Sequence, residues 1–155
     1  MVTDRSETAV FRTHSERETI EFGERLGRRI RSGVCLSLEG GMGSGKSVLV
    51  RGICRGLGVN DDVVSPSFIL CESYTGRLSV IHTDFYRLEF ENEIEELGVF
   101  DHIDGKTVVI AEWGGRSERW QDLADAVLEL TFIGESDRRI GVSYSPDVAH
   151  IFEER

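Results

Sequence analysis

The chain has 155 residues and a formal charge of −10, from 28 acidic against 18 basic side chains, with three cysteines. A domain of this length buries roughly 70% of its unfolded surface without covalent staples, and Cys35, Cys54 and Cys71 offer neither a disulfide framework nor a C-x-x-C pair. An acidic surface repels nucleic-acid phosphates and no apolar run approaches the ~20 residues of a membrane span, so a disulfide scaffold, a direct RNA or DNA binder and a membrane-spanning helix are set aside.

Taken in chain order, residues 1–8 read as a polar tail. Ser15 and Glu18 then form a capping-box pair, and Thr19, Ile20, Gly23, Leu26 and Ile30 share one helical face. The cluster Arg25, Arg28, Arg29 and Arg31 falls at the end of that helix, where cations complement the dipole. Val34, Leu36 and Leu38 alternate with Cys35, Ser37 and Glu39, the pattern of a short strand. Val48, Leu49, Ile53 and Leu57 recur at helical spacing, with Gly56 and Gly58 as stop signals. In Ser65-Pro66-Ser67-Phe68 the proline pushes Ser65 to an extended conformation, which predicts a rigid loop bearing hydroxyls. Phe68 to Tyr74 and Leu78 to Asp84 read as strands joined through Thr75-Gly76-Arg77. The acidic stretch from Glu89 to Glu96, with Ile94 and Leu97, predicts a short helix stopped at Gly98. Thr107 to Trp113 is an apolar strand carrying Glu112. Ala126 to Ile133 and Arg139 to Tyr144 form a closing hairpin, and Ser145-Pro146-Asp147 caps a short C-terminal helix or tail over 145–155. The expectation is one α/β domain over 1–155, a mixed β-sheet flanked by helices, P-loop NTPase-like in view of the glycine-rich run Gly40-Gly41-Met42-Gly43-Ser44-Gly45-Lys46-Ser47 that follows the Val34 strand. Reduced thiols and a polar, charged N-terminus predict a cytoplasmic protein without a secretion signal.

Between the strand at Val34 and the following helix, Gly40-Gly41-Met42-Gly43-Ser44-Gly45-Lys46-Ser47 fits the pattern G-x-x-x-x-G-K-[ST]. Glycines let successive backbone N–H groups turn toward one anion, because no Cβ blocks φ > 0 or the approach of phosphate oxygens. Lys46 would reach the β- and γ-phosphates, and Ser47 would offer its hydroxyl to Mg²⁺ at a helix N-terminus. From average residue usage the pattern arises by chance in well under about 1% of chains this long, so a Gly-rich turn is the weaker reading. Hydrolysis or transfer also needs an acid for the metal and a group to place the nucleophile. Two apolar runs end in acids, one at Asp84 and one at Glu112, and either could be the Walker B acid.

Gly40 to Ser47, Ser65-Pro66-Ser67-Phe68, His82-Thr83-Asp84-Phe85-Tyr86-Arg87, Glu95-Glu96-Leu97-Gly98 and Glu112-Trp113 occur in the order and approximate spacing of the bacterial TsaE family. Those proteins are the small ATPases of tRNA threonylcarbamoyladenosine biosynthesis, and the chain resembles them from about Thr13 to Tyr144. The resemblance implies ATP and Mg²⁺ as cofactors and Lys46, Asp84 and Glu112 as catalytic residues. It also implies a phosphate cradle of Gly41, Met42, Gly43, Ser44, Gly45 and Lys46. Ser47, Glu112 and Asp84 would hold the metal, Asp84 would also order a metal-bound or attacking water, and Ser67 would sense the γ-phosphate. Arg138 falls near a basic position beside the nucleotide, or is a hairpin-turn arginine. Trp113 and Tyr86 are core residues or contacts to nucleotide or partner. Ser47 and Ser67 stand where the family more often has threonine, and Met42 and Ser44 where it has leucine and alanine; no proposed ligand is lost.

The implied function is an Mg²⁺-dependent ATPase acting with the threonylcarbamoyl transferase (TsaD-like) and its paralogue (TsaB-like), touching tRNA only through that complex. A P-loop small-molecule kinase and a nucleotide-responsive binding module with negligible turnover are the alternatives. The kinase reading leaves the H-x-D-x-Y-R element unexplained.

Overall fold

The computed structural model describes residues 2–63 and 70–153. The Ser65-Pro66-Ser67-Phe68 loop, with Ser67, therefore lies outside the described residues. Among the described residues seven strands form one sheet in the order β1-β7-β6-β2-β5-β4-β3. They are β1 Glu7–Thr13, β2 Val34–Glu39, β3 Cys71–Thr75, β4 Ser79–Asp84, β5 Thr107–Glu112, β6 Ala126–Phe132 and β7 Arg138–Tyr144. Among the described residues five α-helices accompany them: α1 Glu16–Arg29, α2 Lys46–Gly56, α3 Glu91–Glu96, α4 Glu118–Leu123 and α5 Ala149–Phe152.

The centre of the sheet is parallel and its flanks are antiparallel. β2 runs parallel to both β5 and β6, and β4 runs parallel to β5. The β3–β4, β6–β7 and β1–β7 pairs are antiparallel. Val80, Val108, Ile110, Leu36 and Leu38 pack with Leu26, Leu49 and Ile53 of α1 and α2 in one core, which also takes Ile151 and Phe152 of α5. Cys35, Ile81, Val109 and Ala111 face the other core, with Ile94 of α3 and Trp120 of α4. Both faces being covered, every residue of β5 is buried, as central parallel strands require. Ser37 is likewise buried, so the alternation in β2 separates two cores and not core from solvent.

Ser15 caps α1 by accepting from the Glu18 N–H at 3.1 Å. Arg77, in the β3–β4 turn, closes the far ends of two helices: its guanidinium donates to the carbonyls of Ile30 and Gly27 at 2.8 and 2.9 Å, and its backbone N–H to that of Leu57. These are carbonyls a helix C-terminus leaves unsatisfied.

Two features depart from the sequence expectation, and a third residue does more than expected. The polar tail enters strand β1 at Glu7; ahead of it, Arg5 Nη1 donates to the carbonyls of Gln121 and Ala124 at 2.6 and 2.8 Å, tying residues 2–6 to the end of α4. Helix α4 itself was not expected; Ser117 caps it by accepting from the Trp120 N–H at 3.0 Å. Gly56, which the sequence marks as a stop, also packs between helices. The three cysteines are free, and burial pushes the Cys35 and Cys54 thiols up to about 12, so they stay protonated. No helix among the described residues is long and apolar enough to cross a membrane.

Helices α1 and α2 touch backbone to backbone through Gly23 and Gly27 on one and Gly52 and Gly56 on the other. A Cβ at Gly27 would sit 2.2 Å from the Ile53 carbonyl oxygen, and one at Gly52 would sit 2.3 Å from that of Ile20. Helix propensity alone would make Gly→Ala stabilising by about 1 kcal/mol. Here the obstruction is backbone that no rotamer change can clear, and overpacking of this kind costs about 1–3 kcal/mol. Gly27→Ala is therefore expected to destabilise the protein by about 1–2 kcal/mol in urea unfolding, opposite in sign to propensity.

Candidate functional site

β2 delivers the chain to the carboxyl edge of the sheet, where residues 40–45 turn back into α2. Gly43 and Gly45 have φ of +74° and +104°, a region that disfavours side-chain-bearing residues. Gly45 is the N-cap of α2, with no side-chain cap. The first N–H groups of that helix are thus left to face an anion. A Cβ at Gly40 would lie 2.6 Å from both the Leu130 carbonyl oxygen and Ser44 Oγ. The loop is therefore wedged against β6. Ser44 serves it through its backbone, donating to the Gly41 carbonyl at 3.1 Å.

Lys46 is 6% exposed. Its Nζ donates to the carbonyl oxygens of Gly40 and Gly41 and lies 4.5 Å from the centre of the Trp113 ring. Burial lowers its pKa, opposed by the nearby Glu112, Asp84 and Glu39 carboxylates.

Parallel pairing sets Asp84 opposite Glu112 and Glu112 opposite Leu38, which brings two acids from separate strands to the loop. Together with residues 42–48 and Trp113 they line a cleft of about 260 Å³. Asp84 Oδ1 accepts from the Tyr86 N–H at 2.9 Å. Desolvation raises the Asp84 pKa, partly offset by that hydrogen bond, while the Glu112 charge pushes further up and His82 and Lys46 push down. Glu112 Oε2 lies 2.7 Å from His82 Nε2, both residues being buried.

Of the residues singled out from sequence, Met42, Gly43, Ser44, Gly45, Lys46, Ser47, Asp84 and Glu112 line this one cleft. Gly41 stands just ahead of them with open space around its Cα. Arg138 is elsewhere: its Nε donates to the Ser44 carbonyl at 3.0 Å, its guanidinium stacks on Phe132 at 3.9 Å, and it borders a separate hollow of about 140 Å³ with Ser15, Thr19 and Gly45. It buttresses the loop from behind. Trp113 is half-buried and Tyr86 is 42% exposed; their rings meet at 4.9 Å. Tyr86 is thus a surface residue, not a core one.

Glu39 and His82 have no role in the sequence reading. Glu39 Oε1 accepts from the Gly115 N–H at 2.9 Å and from Ser37 Oγ at 3.1 Å. It anchors the turn that follows Glu112. An apolar run ending in an acid, the signal that marked Asp84 and Glu112, is present at Glu39 too.

Among the described residues no group of three or more His, Cys, Asp or Glu could hold a metal alone. Mg²⁺ in phosphate sites takes one or two carboxylates, with phosphate oxygens and water completing the shell. The hard oxygen set of Ser47, Asp84 and Glu112, beside an anion cradle, fits an ion that arrives with a polyphosphate.

A mixed sheet whose central strand feeds a glycine loop and helix defines a P-loop NTPase-like α/β protein. The family model described as "Threonylcarbamoyl adenosine biosynthesis protein TsaE" matches residues 13–140, and the chain belongs to the TsaE family. A Treponema pallidum protein named tRNA threonylcarbamoyladenosine biosynthesis protein TsaE is 30% identical over 131 residues, covering 84% of this chain and 97% of that one. The Bacillus subtilis protein of that name is also 30% identical over 131 residues, covering 84% and 82%. One from Mycobacterium tuberculosis is 35% identical over 134 residues, 79% of each chain. The crystal structure of Bacillus subtilis YdiB shares the fold with a TM-score of 0.77 at 24% identity, over 97% of this chain and 93% of that one.

Because folded Asp84 keeps its proton to higher pH than the unfolded chain does, its contribution to stability falls as pH rises from about 4 through the folded value. At neutral pH the fold bears the full cost of the buried charge. Asp84→Asn keeps an acceptor for Tyr86 and removes the charge. It is expected to raise the Tm at pH 7, with the gain vanishing near about pH 3, as measured by thermal unfolding across that range.

Proposed function

We propose that the chain is an Mg²⁺-dependent ATPase subunit required for threonylcarbamoyladenosine modification of tRNA. The observation that carries the reading is the convergence of Lys46, Asp84 and Glu112 on a cleft whose floor is a glycine loop and a helix N-terminus. Family membership supports the pathway, the choice of ATP, and a TsaD-like transferase and TsaB-like paralogue as partners. The charge of −10 fits a subunit that meets tRNA only through such proteins. Buried, protonated thiols fit a cytoplasmic setting.

In this reading the N–H groups of residues 41–46 donate to the phosphate oxygens, and Lys46 turns its Nζ from the Gly40 and Gly41 carbonyls to the β- and γ-phosphates. Ser47, Glu112 and Asp84 would hold the metal. When bound, Mg²⁺ neutralises charge on the β- and γ-phosphate oxygens. Asp84, whose burial favours proton uptake, orients the attacking water and can accept its proton. Ser67 would sense the γ-phosphate through its hydroxyl. Arg138 keeps the cradle in shape through the Ser44 carbonyl.

ATP hydrolysis by the purified chain, alone and with the transferase pair, tests this. Hydrolysis is expected to change when the pair is added, and Lys46→Ala to lower it by about 10²–10³. Transfer of phosphate to a small acceptor with no response to the pair would make the chain a kinase. Persistence of the modification in cells lacking the chain and any redundant route would remove it from the pathway.

A further inference from the structure

His82 begins the strand-end motif that carries Asp84, and the nucleotide reading leaves it unused. Parallel register sets it opposite Ile110, two residues behind the Asp84–Glu112 pair. Side chains two apart on a strand share a face, so His82 lies behind Asp84 on the side of the sheet that carries Val80, Val108 and Ile110 against α2. It is 1% exposed. Its Nε2 is 2.7 Å from Glu112 Oε2, and its buried Nδ1 has no partner among the described residues.

A carboxylate only accepts, and a neutral imidazole donates from one nitrogen. For a neutral imidazole this contact requires the hydrogen on Nε2 and leaves Nδ1 as the bare lone pair, the less costly group to leave unpaired. The imidazole commits its one donor to Glu112. That fixes one carboxylate oxygen from below, while the other, Oε1, has no protein hydrogen-bond partner among the described residues on a side chain that lines the cleft. Asp84 is held otherwise, by the Tyr86 N–H, so each acid has its own support.

We propose that His82 is a positioning residue that aims Glu112: its Nε2–H pins Oε2 so that Oε1 is presented to the metal–nucleotide in the loop. This rests on the reading of Glu112 as a metal-holding residue. Partners that orient a ligating carboxylate typically change metal affinity about 10–100-fold when removed. The substitution His82→Gln would place an amide N–H near the same point, whereas His82→Leu fills the space without a donor.

The test uses the full chain as wild type, His82→Gln, His82→Leu, Glu112→Gln and the double variant His82→Leu with Glu112→Gln. Binding of a fluorescent non-hydrolysable ATP analogue is titrated with Mg²⁺, and also measured without it. His82→Leu is expected to raise the Mg²⁺ requirement about 10–100-fold, His82→Gln to recover most of that, and metal-free nucleotide affinity to hold. Adding His82→Leu to Glu112→Gln is expected to change nothing more. If Glu112→Gln raises the requirement and His82→Leu does not, the inference about His82 falls while the reading of Glu112 stands. If Glu112→Gln has no effect, the reading of Glu112 falls and takes the inference with it. Should His82→Leu not fold, long-range ¹⁵N–¹H spectra of the wild-type imidazole decide: an Nε2–H tautomer that responds to Glu112→Gln supports the pin, and an Nδ1–H tautomer overturns it.

Discussion

Parallel hydrogen bonding makes β2, β4 and β5 end at the same edge of the sheet, in register, and the rest of the molecule is arranged around that edge. Leu38, Glu112 and Asp84 occupy one rung across the three strands. A slip by one residue would turn either acid to the opposite core. The uniform burial of β5 gives such a slip a high cost, because each position fits one of two cores of different shape. The precision of the cleft is thus drawn from apolar packing beneath it.

The second requirement is that α2 start where β2 ends. The glycine contact with α1 sets how close α2 lies to its neighbour, and the wedge of Gly40 against β6 sets the loop's entry. Within the space so defined, Lys46 sits among Glu112, Asp84 and Glu39. Its ammonium is satisfied by loop carbonyls and an aromatic face, partners that anionic oxygens can outcompete.

Much of this was legible in the residues. The P-loop, its flanking strand and helix, the terminal hairpin and both strand-end acids follow from periodicity and glycine chemistry. What escaped has identifiable causes. β1 is an edge strand with charged and exposed positions, so its alternation is weak. Helix α4 buries a single residue, Trp120, too little for a periodic signal. Gly56 does end α2, but a short-range pattern cannot also show the Glu24 carbonyl 2.3 Å from where its Cβ would lie. The His82–Glu112 contact joins residues on different strands, and only the register reveals it. Arg138, the first residue of β7, also reaches the Ser44 carbonyl, a contact between distant segments that no short-range pattern shows.

Arg77 has a mechanical meaning beyond capping. By gripping the trailing carbonyls of both long helices from one hairpin turn, it makes that end of the helical layer a fixed joint. Any displacement that begins at the Lys46 end of α2 therefore works against a far end tied to the β3–β4 hairpin.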